Sequence, residues 1–100
     1  MGAGQIHKAL GALGFVSPTL EFDEAIRLNP QGADAYYNRG QAYDYLGQYE
    51  RAIQDYDEAI RLDPQLAIAY NNRGYAYRSH GKTKEAELDY QKAKERGYEL

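Results

Sequence analysis

Residues 33–66 and 67–100 are one sequence written twice, aligned without a gap at a period of 34 residues. Identities fall at Ala33/Ala67, Ala35/Ala69, Tyr36/Tyr70, Asn38/Asn72, Arg39/Arg73, Gly40/Gly74, Ala42/Ala76, Tyr43/Tyr77, Gly47/Gly81, Ala52/Ala86, Asp55/Asp89, Tyr56/Tyr90, Ala59/Ala93 and Leu66/Leu100. A unit of this length holds two helices and cannot bury its apolar face alone. It must stack on a neighbour, and the stack is a solenoid with a groove. The period therefore predicts an all-α chain and excludes sheet-based architectures.

Each unit divides at its central glycine. Tyr36, Gly40 and Tyr43 have helical spacing and predict a first helix over about Ala33 to Leu46, with a turn at Gly47-Gln48. Ala52, Ile53, Tyr56, Ala59 and Ile60 predict a second helix over about Tyr49 to Leu62, ended by Asp63-Pro64 because the residue before proline leaves the helical region. The next unit predicts helices over about Ala67 to His80 and Thr83 to Arg96, with Gly97 as a C′ glycine. Upstream, Phe22 to Gln31 matches Tyr56 to Gln65 and predicts the second helix of an earlier unit, with Ser17-Pro18 read as its N-cap and first helical residue. Ile6, Ala9, Leu10 and Leu13 keep helical spacing, but Gly2, Gly4, Gly11 and Gly14 predict only a short, frayed helix there. The expected layout is one domain over 1–100: a degenerate unit at 1–32, a second at 33–66 and a third at 67–100, about six helices in all.

One hundred residues support a single small core, and 43% hydrophobic with 27% charged residues fits a folded domain rather than a disordered one. A net charge of −3 argues against nucleic acid as a partner. The absence of cysteine excludes disulfides and thiolate metal sites and agrees with a cytoplasmic setting. No apolar run reaches the ~20 residues that span a membrane. The first residues have no basic n-region or apolar core of a signal peptide. Ile6 stands where a myristoylation signal wants Ser or Thr, and the last four residues are not a retention signal. No membrane partner is expected.

The pattern Tyr36-x2-Arg39-Gly40-x2-Tyr43, then Ala52-x3-Tyr56-x2-Ala59, then Pro64 resembles the tetratricopeptide repeat. That family places Trp, Leu, Gly, Tyr, Ala, Phe, Ala and Pro at these positions. Here tyrosine replaces Trp and Phe, arginine replaces Leu, and Tyr98 stands where the third unit would have proline. The resemblance implies a right-handed superhelix of helix-turn-helix units. Gly40 and Ala52, with Gly74 and Ala86, allow close helix approach, and Tyr43, Tyr56, Tyr77 and Tyr90 fill the space between helices. Arg39 and Arg73 are expected to lay their stems along the seam with the guanidinium outward. Ion pairs with Asp55 and Asp89 are the alternative.

Three second-helix positions change together between the units: Ile53 to Glu87, Ile60 to Lys94 and Leu62 to Arg96. Charge at positions that a following repeat would cover predicts that the third unit caps the stack.

The resemblance also places the first helices on the concave face. That groove would present Asp34, Tyr37, Asn38, Gln41, Asp44 and Tyr45, then Ile68, Asn71, Asn72, Tyr75, Arg78 and Ser79. Amides suit a peptide backbone, and tyrosines give rigid amphipathic area. The family's chaperone-tail subclass clamps a carboxylate with Lys, Asn and Arg. Here Asn38 matches the middle Asn, Ile68 and Asn72 stand at the last Lys and Arg, and the first pair falls near Gly4 and Lys8. The clamp is incomplete, so a chaperone C-terminal carboxylate is not an expected ligand.

No catalytic constellation stands out. His7 and His80 have no nucleophile or metal partner at motif spacing, and the acidic clusters Asp23-Glu24, Asp55 with Asp57-Glu58, and Glu85 with Glu87 read as solvated helix faces. The leading expectation is a non-catalytic scaffold or adaptor binding a peptide or protein in the groove, with no cofactor and no metal. The alternative is a self-assembling structural protein that forms a homodimer, or exchanges its N-terminal helix, through the incomplete first unit.

Overall fold

The computed structural model describes residues 17–99, and those residues form five helices and no strand. They are α1 (Leu20–Leu28), α2 (Ala33–Tyr45), α3 (Tyr49–Leu62), α4 (Ala67–Ser79) and α5 (Thr83–Glu95). The helix expected around Ile6 to Leu13 lies outside the described residues, as does His7. Each helix packs on the next in chain order, α2 on α3 and α4 on α5 most extensively, and α2 also reaches α4. This is the stacked two-helix solenoid that the period predicts.

The turns inside the repeats are built alike. Gly47 and Gly81 have φ of 76° and 80°, the left-handed region that glycine enters without strain. Gln48 N–H donates to the Tyr43 carbonyl at 2.8 Å, and Lys82 N–H to Tyr77 at 2.7 Å. Gly47 and Gly81 N–H donate to Asp44 and Arg78 at 3.0 Å, completing Schellman caps. Between repeats, the Asn29 and Asp63 side chains accept from the backbone N–H two residues on, at 3.3 and 3.1 Å, which turns the chain after α1 and α3. The start of α1 differs from expectation. Thr19, not Ser17, stands at the N-cap position, and Ser17-Pro18 form a turn ahead of it in which Ser17 Oγ accepts the Thr19 N–H at 3.3 Å.

The core is made of alanines and tyrosine. Ala52, Tyr56, Ala59, Ala69 and Ala76 have no exposed surface. A Cβ on Gly40 would lie 2.7 Å from Tyr56 Cε1, and one on Gly74 2.6 Å from Tyr90 Cε1, so each ring rests directly on a glycine of the facing helix.

Arg39 and Arg73 do not point outward. Arg39 Nε and Nη2 donate to the two Asp55 oxygens at 2.8 Å each, and Arg73 repeats this to Asp89 at 2.7 Å. Their remaining Nη1 groups reach Asp23 at 3.0 Å and Asp57 at 2.8 Å in the preceding repeat. Each arginine thus ties its own repeat together and ties it to the one before. Tyrosines of the same helix flank both guanidinium groups, Tyr36 and Tyr43 around Arg39 and Tyr70 and Tyr77 around Arg73, at 5.6–5.9 Å. Reading Asp55 as a solvated face is therefore corrected: Asp55 and Asp89 are 5% and 2% exposed, bidentate partners of the half-buried arginines. These hydrogen bonds hold both arginine pKa values above the ordinary range, against a desolvation that lowers them and is the largest single influence at Arg73.

Arg96 also departs from the outward, capping reading. Its guanidinium lies 4.5 Å from the Tyr70 ring centroid and its Nε donates to the Pro64 carbonyl at 2.9 Å. Glu87 and Lys94 are exposed.

Candidate groove and its family

Seven of the side chains expected in the groove divide between two neighbouring cavities that meet at Tyr75. The first, about 350 Å³, lies between α2 and α4 and is lined by Gln41, Asp44, Tyr45, Tyr56, Asn72 and Tyr75. The second, about 280 Å³, lies between α4 and α5 and is lined by Asn71, Tyr75, Arg78, Glu87, Tyr90, Lys94 and Tyr98. Five of the expected groove residues thus line the first cavity, and Asn71, Tyr75 and Arg78 line the second. Tyr37 is half-buried and Asp34 and Asn38 exposed on α2, Ile68 is half-buried and Ser79 exposed on α4, and all five lie outside the linings of the two cavities.

The floor is fixed by packing. The Tyr37 ring lies 6.0 Å from the Tyr56 ring, and Asn72 Nδ2 donates to Tyr37 Oη at 3.0 Å, joining α4 to α2. Tyr37 and Asn72 are therefore partly committed within the protein. Asn71 is 4% exposed and forms wall rather than open surface. Tyr75 stacks edge-on against Tyr90 at 5.4 Å and keeps 46% of its surface exposed, and Tyr45 is 94% exposed. The second repeat places the aromatic partner at Tyr37, the third one helical turn later at Tyr75.

Burial sets the electrostatics. It raises the Asp44 carboxyl above the usual carboxylate range. It raises the Tyr37 phenol too, partly offset by the Asn72 hydrogen bond. Tyr56 is pushed up first by burial and then by the Asp44 charge, with the Asn72 amide nearby pulling the other way, and its buried hydroxyl makes no hydrogen bond of normal geometry because Asn72 Nδ2 donates to Tyr37 instead. Among the described residues no group of three or more His, Cys, Asp or Glu could hold a metal ion, and no helix is long and apolar enough to cross a membrane. His80 is not alone at its turn: its Nε2 lies 3.2 Å from Glu50 Oε1. The sequence reading missed Tyr56, Tyr90, Glu87, Lys94 and Tyr98 as lining. Their place on second helices and at the chain's end drew them into packing and capping roles instead.

The tetratricopeptide repeat pattern matches residues 33–66 and 67–96. The chain belongs to the tetratricopeptide repeat family. Solved structures agree with this assignment. One crystal structure of MamA is 33% identical with a TM-score of 0.73, covering 94% of this chain and 55% of that one. A second is 39% identical with a TM-score of 0.72, over 75% and 44% of the two chains. This chain thus spans about half the length of those relatives. The first tetratricopeptide domain of Spaghetti (RPAP3), bound to the HSP90 peptide SRMEEVD, is 23% identical with a TM-score of 0.76 over 95% and 76% of the chains, a likeness of fold. No curated protein sequence matches. Tetratricopeptide repeats are generally non-catalytic protein-interaction modules.

Proposed function

We propose that this tetratricopeptide chain is a non-catalytic adaptor that holds a segment of another polypeptide in the groove between α2 and α4. The observation that carries the reading is the lining of that groove: exposed Tyr45 and Tyr75 beside the Gln41 and Asn72 amides, over a floor fixed by Tyr37 and Tyr56. Tyrosines offer contact area at low entropic cost, and amides offer both donor and acceptor to a backbone. A domain of the same fold is seen with a peptide bound, which supports a peptide as the class of partner. The test is a dodecapeptide library selected against the whole chain, followed by affinities for the wild type and for Gln41→Ala with Tyr45→Ala. Both side chains are exposed, so helicity should hold while affinity falls at least tenfold. Unchanged affinity would place the binding surface elsewhere.

A second reading, self-association through the first unit, is favoured by α1. It has no buried residue, and its Leu28 is 72% exposed. Light scattering across a concentration range decides it: a mass that doubles with concentration supports association, and a constant monomer mass rejects it.

A further inference from the structure

Asp44 differs from the other partly buried or buried aspartates of this chain. Asp23, Asp55 and Asp89 each face an arginine at 2.7–3.0 Å, and Asp63 accepts the Gln65 N–H at 3.1 Å. Asp44 is half-buried on α2, and among the described residues it has no side-chain hydrogen bond and no counter-charge. It stands in the cavity of about 350 Å³ with the rings of Tyr45, Tyr56 and Tyr75. A carboxylate without a counter-ion, set among aromatic rings whose faces carry negative potential, is a receptor for a cation. The site also has a polarity. One repeat further along the stack, at the same helix position, the residue is Arg78. Arg78 lines the neighbouring cavity, which shares Tyr75 with the first.

Resting on the groove reading above, we infer that the bound polypeptide places a basic side chain, lysine or arginine, against Asp44 between Tyr45 and Tyr75, with an acidic side chain further along against Arg78. The cation gains both the carboxylate and the ring faces. The acidic residue meets Arg78 and Lys94, two cations against the single Glu87 in that lining. The reversed orientation would set like charges together at both ends, so the two cavities fix the direction in which the segment lies.

Two measurements test this. In the first, N-acetyl-arginine amide and N-acetyl-glutamine amide are titrated into the isotopically labelled chain. The arginine compound should shift the amide signals around Asp44 and Tyr75, and the glutamine compound at the same concentration should not. In the second, library peptides that lose affinity in the Gln41→Ala, Tyr45→Ala variant are resynthesised with each basic residue changed to glutamine. One such change should weaken binding at least fivefold on the wild type and have no effect on Asp44→Asn, and Asp44→Arg should invert the preference toward glutamate at that position. Groove-dependent peptides whose affinity is indifferent to Asp44→Asn would overturn the cation site and leave the groove intact. Peptides indifferent to Gln41→Ala with Tyr45→Ala would remove the groove itself, and the cation site with it.

Discussion

Arg73 grips Asp89 through two parallel hydrogen bonds of 2.7 Å, with the carboxylate 2% exposed. The pair occupies the seam where the family has leucine, so an ion pair stands in place of apolar packing. Losing Arg73 leaves the buried Asp89 carboxylate without a partner, and losing Asp89 leaves Arg73 only the more exposed Asp57. Arg73→Leu or Asp89→Ala is expected to lower stability by about 3–5 kcal/mol, read as the shift in urea midpoint. Arg73→Leu combined with Asp89→Leu should recover most of that loss, because two apolar groups of similar volume desolvate no charge.

The links between repeats should be far weaker. Asp57 is 52% exposed where it meets Arg73, and Asp23 is 41% exposed where it meets Arg39. Asp57→Ala is expected to cost about 0–1 kcal/mol, and the loss should vanish at about 1 M salt, where the Debye length falls to about 3 Å. Urea titrations at low and high salt check this.

Gly40 is a site where alanine harms a helix. Its added Cβ would stand 2.7 and 2.9 Å from Tyr56 Cε1 and Cδ1, on a ring that is fully buried. Helix propensity favours alanine by about 1 kcal/mol, but overpacking costs about 1–3 kcal/mol, so Gly40→Ala should lower the melting temperature. In a double-mutant cycle with Tyr56→Ala the two losses should sum to more than the double variant shows, since removing the ring removes the clash.

Asp44 gives a pH dependence. Its folded pKa is raised by burial, so over the window above the ordinary carboxylate value the folded chain binds more protons than the unfolded one. Stability therefore falls as pH rises through that window, and the penalty is complete above the folded pKa. Asp44→Asn should raise the melting temperature at pH 7 and leave it nearly unchanged at pH 3.

Local punctuation made the helices legible. Gly47 and Gly81 at the turns and Pro64 after α3 bound them, and the predicted limits of α2 to α5 fall within one residue of those found. The N-cap of α1 was misplaced because Ser17-Pro18 has the composition of a cap, while Thr19 and Asp23 bond to each other at 3.2 Å two residues further on. The burial of Asp55 and Asp89 was not legible from composition, since acids early in a helix are ordinarily solvated. A signal was nevertheless there. Each arginine at the family's leucine position has an aspartate 16 residues before it and another 16 residues after it, in both repeats. Arg96 was misread for a related reason: its counterpart Leu62 suggested an outward site, whereas the ring of Tyr70 and the carbonyl of Pro64 draw the guanidinium back. Helix position gave the side of each groove residue but not its depth. Asn71 is 4% exposed and Tyr37 packs against the second-helix Tyr56, and a face diagram of one helix does not contain its neighbour.

The most direct measurement of the central claim is an amide chemical-shift map of the labelled chain with a library-selected peptide. The account predicts the largest changes at Gln41, Asp44, Tyr45, Asn72 and Tyr75, on the facing sides of α2 and α4. Changes confined to α1 or to the outer surface of α5 would contradict it.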